Sequence, residues 1–186
     1  MFSKNILISD FILTDNHPVY QNQSWTGQLI TRQTGVGYYS IQFKIQATKQ
    51  CRAELQQFIT EHGFGKPFSH SLGWYSEYTG QQESTVQCLS LASVGTYVIK
   101  VQPQTVLEVG TLIQFTNHRK IYKIIGNDGM GNLSIFPSLR KPVQISENIK
   151  FNNIYGTFIL QTDGKIDFNS ENIIIMNIKA IEDVTG

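Results

Sequence analysis

Four histidines, two cysteines and a scatter of carboxylates are the residues on which chemistry could turn. His17, His62, His70 and His118 stand in no HxH, HxxxH or HExxH spacing and have no CxxC beside them, so a zinc site is not indicated. His62 falls at the end of a helical pattern, where an imidazolium complements the helix dipole. Cys51 and Cys88 each sit inside an apolar pattern and read as free, buried thiols acting as small hydrophobes. The run Gly126-Asn127-Asp128-Gly129-Met130-Gly131 looks like a phosphate cradle. It lacks the Lys-Ser/Thr ending and joins two strand patterns, so it reads as a hairpin tip. Asp128 and Asp163 lack the further acidic ligands at alternate positions that a calcium loop uses.

Two clusters remain. Trp74, Tyr75 and Tyr78, set among Gly63, Gly65, Gly73 and Gly80, could form a stacking platform for a sugar. The alternative is a packed connection tucked under a helix and anchored by its Phe and Trp residues. Glu77 and Glu83 flank these rings as a hydrolase pair would, and read equally well as solvated loop residues. Arg140, after Phe136-Pro137-Ser138-Leu139, suits an ion pair with a neighbouring subunit or the capping of a barrel end better than catalysis. The expectation is a chain with no catalytic, cofactor-binding or metal-ligating residues, and no enzymatic activity.

Composition narrows the partners. The 186 residues are 40% apolar, only 16% charged, and carry a formal net charge of +1, so electrostatics favour no polyanion and no specific nucleic-acid binding. Polar character comes from Gln, Asn, Ser and Thr, which suits β-rich, neutral protein contacts. No run approaches the ~18 apolar residues a membrane span needs. The N-terminus has no apolar signal core, and the expectation is a protein made in the cytoplasm and not inserted in a membrane.

The elements that would position these residues are mostly strands. Ile6–Ile8 and Phe11–Leu13 are short apolar segments, followed by a turn at Asp15-Asn16-His17-Pro18. Gln21–Gly35 reads as an extended arm. Tyr39, Ile41, Phe43 and Ile45 alternate with polar residues over Tyr39–Gln46, a half-buried strand. One helix is expected over about residues 49–62. Thr48 would be its N-cap, Gly63 its left-handed C′ residue, and Cys51, Leu55, Phe58, Ile59 and His62 one stripe. It should lie across a sheet.

From Ser84 the strand patterns are short and regular: Thr85–Leu91, Tyr97–Val101, Leu112–Phe115, Ile121–Ile125, Leu133–Phe136 and Ile149–Phe151. That spacing points to a barrel or sandwich. A turn at Thr162-Asp163-Gly164-Lys165 precedes Ile173–Ile181, where Ile173, Ile175 and Asn177 alternate with Ile174, Met176 and Ile178. A strand that apolar must be paired, within its domain or with another copy.

The ordered series Gly110-Thr-Leu-Ile-Gln-Phe, Ile121-Tyr-Lys-Ile, Gly131-Asn-Leu-Ser-Ile-Phe-Pro-Ser-Leu-Arg140, Phe151 and Phe158 resembles tail-tip proteins of tailed bacteriophages, closest to the distal tail protein family. The upstream order is similar too: a strand ending near Ile45, then a helix, then Phe64-Gly-Lys-Pro-Phe68. Together these cover about Ser40 to Leu160. Thr111 stands where the pattern carries an acidic residue, and the first forty residues have no counterpart.

The resemblance implies a mainly β protein. A ring-forming β-barrel or sandwich domain with one helix (residues 1–84 and 151–186) would carry an inserted small OB-like barrel (residues 85–150). It further implies a homo-oligomeric, hexameric ring in the virion, at the tail tip or baseplate. Such a ring would join the tail tube protein to the baseplate hub protein and leave a channel for DNA. A receptor-binding protein or host glycans would be further partners. A ring needs heterologous contacts that close by rotation. The expected interface residues are Ile173, Ile175 and Ile178, with Trp25 on the Gln21–Arg32 arm and Arg140. A carbohydrate-binding module using Trp74, Tyr75 and Tyr78 is the alternative function.

Overall fold

The computed structural model describes residues 2–3, 5–161 and 173–185. The expected turn at Thr162–Lys165, and Asp163 with it, lies outside them. The first strands are β1 (Ile6–Asn16), β2 (Val19–Gln23), β3 (Leu29–Gln33) and β4 (Tyr38–Thr48). Helix α1 (Arg52–His62) and β5 (Phe68–Ser71) follow. Six short strands come next: β6 (Val86–Gln87), β7 (Val98–Lys100), β8 (Leu112–Phe115), β9 (Tyr122–Asn127), β10 (Asn132–Phe136) and β11 (Asn148–Lys150). β12 (Tyr155–Leu160) and β13 (Ile173–Glu182) complete the order. Among the described residues the fold is mainly β, 46% strand with one α-helix, in curled, barrel-like sheets.

The chain divides into two compact units. One comprises residues 1–14, 39–72 and 155–183; the other comprises residues 15–38, 73–154 and 184–186. The chain passes between them at 14/15, 38/39, 72/73, 154/155 and 183/184, where only two crossings, near Ser84 and Phe151, were expected. The arm, expected with the terminal domain, belongs to the barrel's unit.

The first unit is a five-stranded sheet in the order β1-β4-β13-β12-β5. Alternation in β4 buries Tyr39, Ile41, Phe43, Ile45 and Ala47 on one face, and β13 matches it from Ile173↔Thr48 to Ile181↔Ser40. Helix α1 turns Leu55, Phe58 and Ile59 inward. Phe58 meets Phe68 of β5 edge-on at 5.4 Å, and Phe68 continues to Phe158 of β12 at 6.3 Å. Both expected helix ends are corrected. A 3-10 turn, Lys49–Cys51, comes first, and Thr48 makes no side-chain cap because it ends β4 in the ladder with Ile173. Gly63 is right-handed (φ −66°); the left-handed glycine is Gly65 (φ 87°). Ile6–Ile8 and Phe11–Leu13 join as one edge strand through Asp10, at φ 52°.

In the second unit a six-stranded sheet runs β6-β11-β8-β9-β10-β7. The bridge Cys88↔Val101 joins its outermost strands, with the Leu89 N–H donating to the Lys100 carbonyl at 2.8 Å. The sheet thus closes into a barrel, with one strand more than the five of an OB-fold. Its interior holds Val86, Cys88, Ile99, Val101, Leu107, Ile113, Phe115, Tyr122, Ile124, Leu133, Ile135, Leu139, Val143 and Ile149. Tyr97, which opens the expected Tyr97–Val101 strand, is exposed and lies just before β7. Closure pairs the outermost strands of this sheet with one another.

Candidate functional site: the exposed arm and its root

Strands β2 and β3 form a hairpin registered from Val19↔Gln33 to Gln23↔Leu29, and all ten of its strand residues are exposed. The tip, Ser24-Trp25-Thr26-Gly27, is tightly bonded. Ser24 N–H donates to the Gln28 carbonyl at 2.9 Å, and Gly27 N–H to the Ser24 carbonyl at 2.9 Å. Gln28 N–H donates to Ser24 Oγ at 3.1 Å, and Gln23 Nε2 to the Gly27 carbonyl at 3.1 Å. Gly27 sits at φ 82°, a conformation a β-carbon would strain. Trp25 rides on this turn at 107% relative exposure.

The arm's root packs on the barrel. His17 meets Phe136 edge-on at 5.0 Å, and Asp15 pairs with both His17 Nε2 (2.7 Å) and Lys123 Nζ. Gly37 passes so close over the Phe136 ring that a β-carbon there would lie 2.5 Å from Cε1. Between the roots lies an open, largely apolar cavity of about 260 Å³, with His17, Gln33, Val36, Lys123, Ile125 and Phe136 among its lining residues. Sequence reading found the arm but missed this cavity. Its residues come from three separated stretches, and only the Gly35-Val36-Gly37 break hinted at a close approach.

The other expected residues disperse. Ile173 and Ile175 face outward from β13, at 56% and 52% exposure, whereas Ile178 points into the core at 5%. Ile178 is therefore no interface residue. β4 pairs β13 from Ile173 to Ile181, and β12 pairs it at Ala180–Glu182. Arg140 is exposed, and its backbone N–H donates to Tyr122 Oη at 3.1 Å.

Trp74 and Tyr75 stack on one another at 4.0 Å, with Trp74 70% exposed. Tyr78 turns away from this pair. Its ring packs edge-on against Phe151 at 4.9 Å, and its hydroxyl donates to Glu108, whose other oxygen accepts the Gln81 N–H. The three rings thus make no single platform. Burial and the Glu108 bond raise the Tyr78 phenol, while the same bond holds Glu108 below the usual carboxylate range. Tyr75, Tyr78 and Glu108 line an open groove of about 540 Å³. Phe64, at 90% exposure, and Trp74 do not anchor the connection as expected; Phe68 and Tyr78 do.

The titratable groups serve the fold. Burial, with Glu147 nearby, pushes the Cys88 thiol up to about 12, so it carries no thiolate at neutral pH. His118 Nδ1 lies 3.0 Å from Tyr122 Oη, and burial lowers its pKa against the opposing pull of Glu147. His70 stacks flat on Phe11 at 5.2 Å, and its pKa is likewise lowered by burial. His62 bonds the Lys66 carbonyl and packs on Phe58 and Phe68. Asp128 closes the β9–β10 tip by accepting the Met130 and Asn132 N–H groups. Among the described residues no group of three or more His, Cys, Asp or Glu side chains is placed to hold a metal ion. No helix among them is long and apolar enough to cross a membrane. No protein-family model matches the chain, and no similar curated protein was found.

Proposed function

We propose that this chain is a non-enzymatic structural protein of a tailed-phage virion that assembles into a ring, hexameric in the resembling family, at the tail tip or baseplate. Such a ring would connect the tail tube to the hub and leave a channel for DNA. The observation that carries this reading is the arm: a hairpin with every strand residue in solvent and a rigid tip displaying a tryptophan. An isolated two-stranded hairpin is marginal in water, and it gains most from a partner that covers it. The strand-and-helix order that resembles distal tail proteins supports the same assignment. So does the near-neutral charge, which suits a conduit that must not hold nucleic acid. Negative-stain microscopy and mass photometry of the purified protein, alone and with tail tubes, should show rings or capped tubes. A protein that stays monomeric and does not join tails would overturn the assignment.

A second reading, binding of host glycans, is favoured by one feature: the exposed outer face of Trp74, next to the residues of the polar groove. Ring faces of this kind stack on sugars through dispersion and C–H contacts. Glycan-array binding abolished by Trp74→Ala would support it, and no binding at millimolar sugar would exclude it.

A further inference from the structure

We infer that the arm tip and the arm root are the two halves of one contact between copies: Trp25 of one chain seats in the cavity lined by His17, Val36, Ile125 and Phe136 of the next. The inference rests on the ring reading and names the contact that closes it.

The knob stands on a hydrogen-bonded turn: bonds within Gln23–Gln28 hold the backbone that presents the indole in the folded arm. The hole is largely apolar, and at about 260 Å³ it suits one large side chain. Phe136 and His17 offer it rings to pack against, and Lys123, paired with Asp15, also stands in its wall.

A chain cannot fill its own hole. Five paired residues separate root from tip, about 16 Å at the usual rise per residue, and Trp25 lies beyond the last pair, Gln23↔Leu29. Knob and hole are different surfaces of the same chain, so their contact is heterologous. It builds a closed ring or an open filament, and it leaves a free knob and a free hole on any incomplete assembly. A buried tryptophan at the centre of a small contact is the residue type that most often dominates binding.

The test uses two variants of the full chain and their mixture. Trp25→Ala removes the knob. Ile125→Glu puts a charge into the hole at a side chain that is half exposed, so the barrel should fold. Circular dichroism and melting temperature check folding in both. Each variant alone should associate roughly 30-fold more weakly than wild type, as expected for a hot-spot residue. Mixed one to one, they should form a heterodimer and go no further, since the pair retains one intact knob and one intact hole. Assembly of Trp25→Ala at wild-type concentrations would overturn the inference and leave the ring reading standing. So would a mixture that stays monomeric. A wild-type protein that never associates would overturn both.

Discussion

The barrel and the arm belong to one unit and are both built of antiparallel strands, yet they solve the edge problem in opposite ways. In the barrel six short strands meet round a continuous apolar interior, and the Cys88↔Val101 bridge joins the last pair of edges. In the arm two strands pair only with each other, and neither face is covered. The strand lengths are similar, so length does not decide which is stable alone. Enclosure does: the barrel takes apolar side chains out of water, whereas the arm leaves Tyr20, Leu29 and Ile30 in it. The barrel is thus the part expected to set stability, and the arm the part expected to set association.

The largest effect should follow from emptying the barrel. Phe115 is fully buried and packs edge-on to Tyr122 at 5.5 Å. Phe115→Ala should cost about 3–5 kcal/mol, counting lost transfer and the cavity left behind. Urea unfolding followed by tyrosine fluorescence would measure it. A loss under about 1 kcal/mol would mean the interior collapses around the gap and is not the rigid core described.

Two glycines separate closure from local backbone geometry. Gly131 (φ 95°) lies where a β-carbon would stand 2.6 Å from the Val101 carbonyl, and its own carbonyl accepts the Val101 N–H. Gly35, at the arm's root, is also left-handed (φ 70°), but nothing lies within 4 Å of its β-carbon position. Gly35→Ala should cost about 1–2 kcal/mol, the left-handed strain alone. Gly131→Ala should cost more, because the β7–β10 seam must also part. Melting curves of the two variants side by side give the difference, and equal losses would show that the seam is slack.

A smaller, pH-dependent effect belongs to His118. Around it stand Tyr122 Oη, the Pro142 carbonyl, Glu147 and Lys141. Its folded pKa is lowered, chiefly by burial, so the unfolded chain binds the proton more readily. Its contribution is complete above the unfolded value of about 6.5 and is lost as pH falls from there through the folded value. The slope is at most about 1.4 kcal/mol per pH unit per histidine. His70 is shifted the same way in the other unit, so the wild-type melting curve should respond to both. His118→Gln should remove only the barrel's share, and an unchanged pH dependence would show that His118 titrates normally.

The legible parts of this fold were those whose pattern is written in side chains alone. Alternation in Tyr39–Gln46 and Ile173–Ile181 marked real strands, and the Gly126–Gly131 cluster marked a real hairpin tip. The choice of interface residues failed where it ignored the same rule. With a period of two, Ile178 lies on the face opposite Ile173 and Ile175, so the three could not share one contact. Thr48 looked like a helix cap because local chemistry allowed it, and a long-range ladder claimed it instead. The arm gave the weakest pattern. A strand that buries neither face has no reason to alternate, and the reading of Gln21–Gly35 as one extended arm missed the turn at Gly27.

The smallest stability change should come from the arm. Tyr20 and Ile30 lie on one of its faces, opposite Arg32 and Asn22 in the ladder, and both are well exposed. Replacing both with serine removes little buried area from the isolated chain, so its stability should change by no more than about 0.5 kcal/mol. Hydrogen exchange gives the independent reading: arm amides should exchange through local opening, far faster than those of β8–β10, which exchange only when the barrel opens. If arm amides proved as protected as the barrel's in the dilute, monomeric protein, the hairpin would be stable alone. Its exposed apolar residues would then owe nothing to a missing partner.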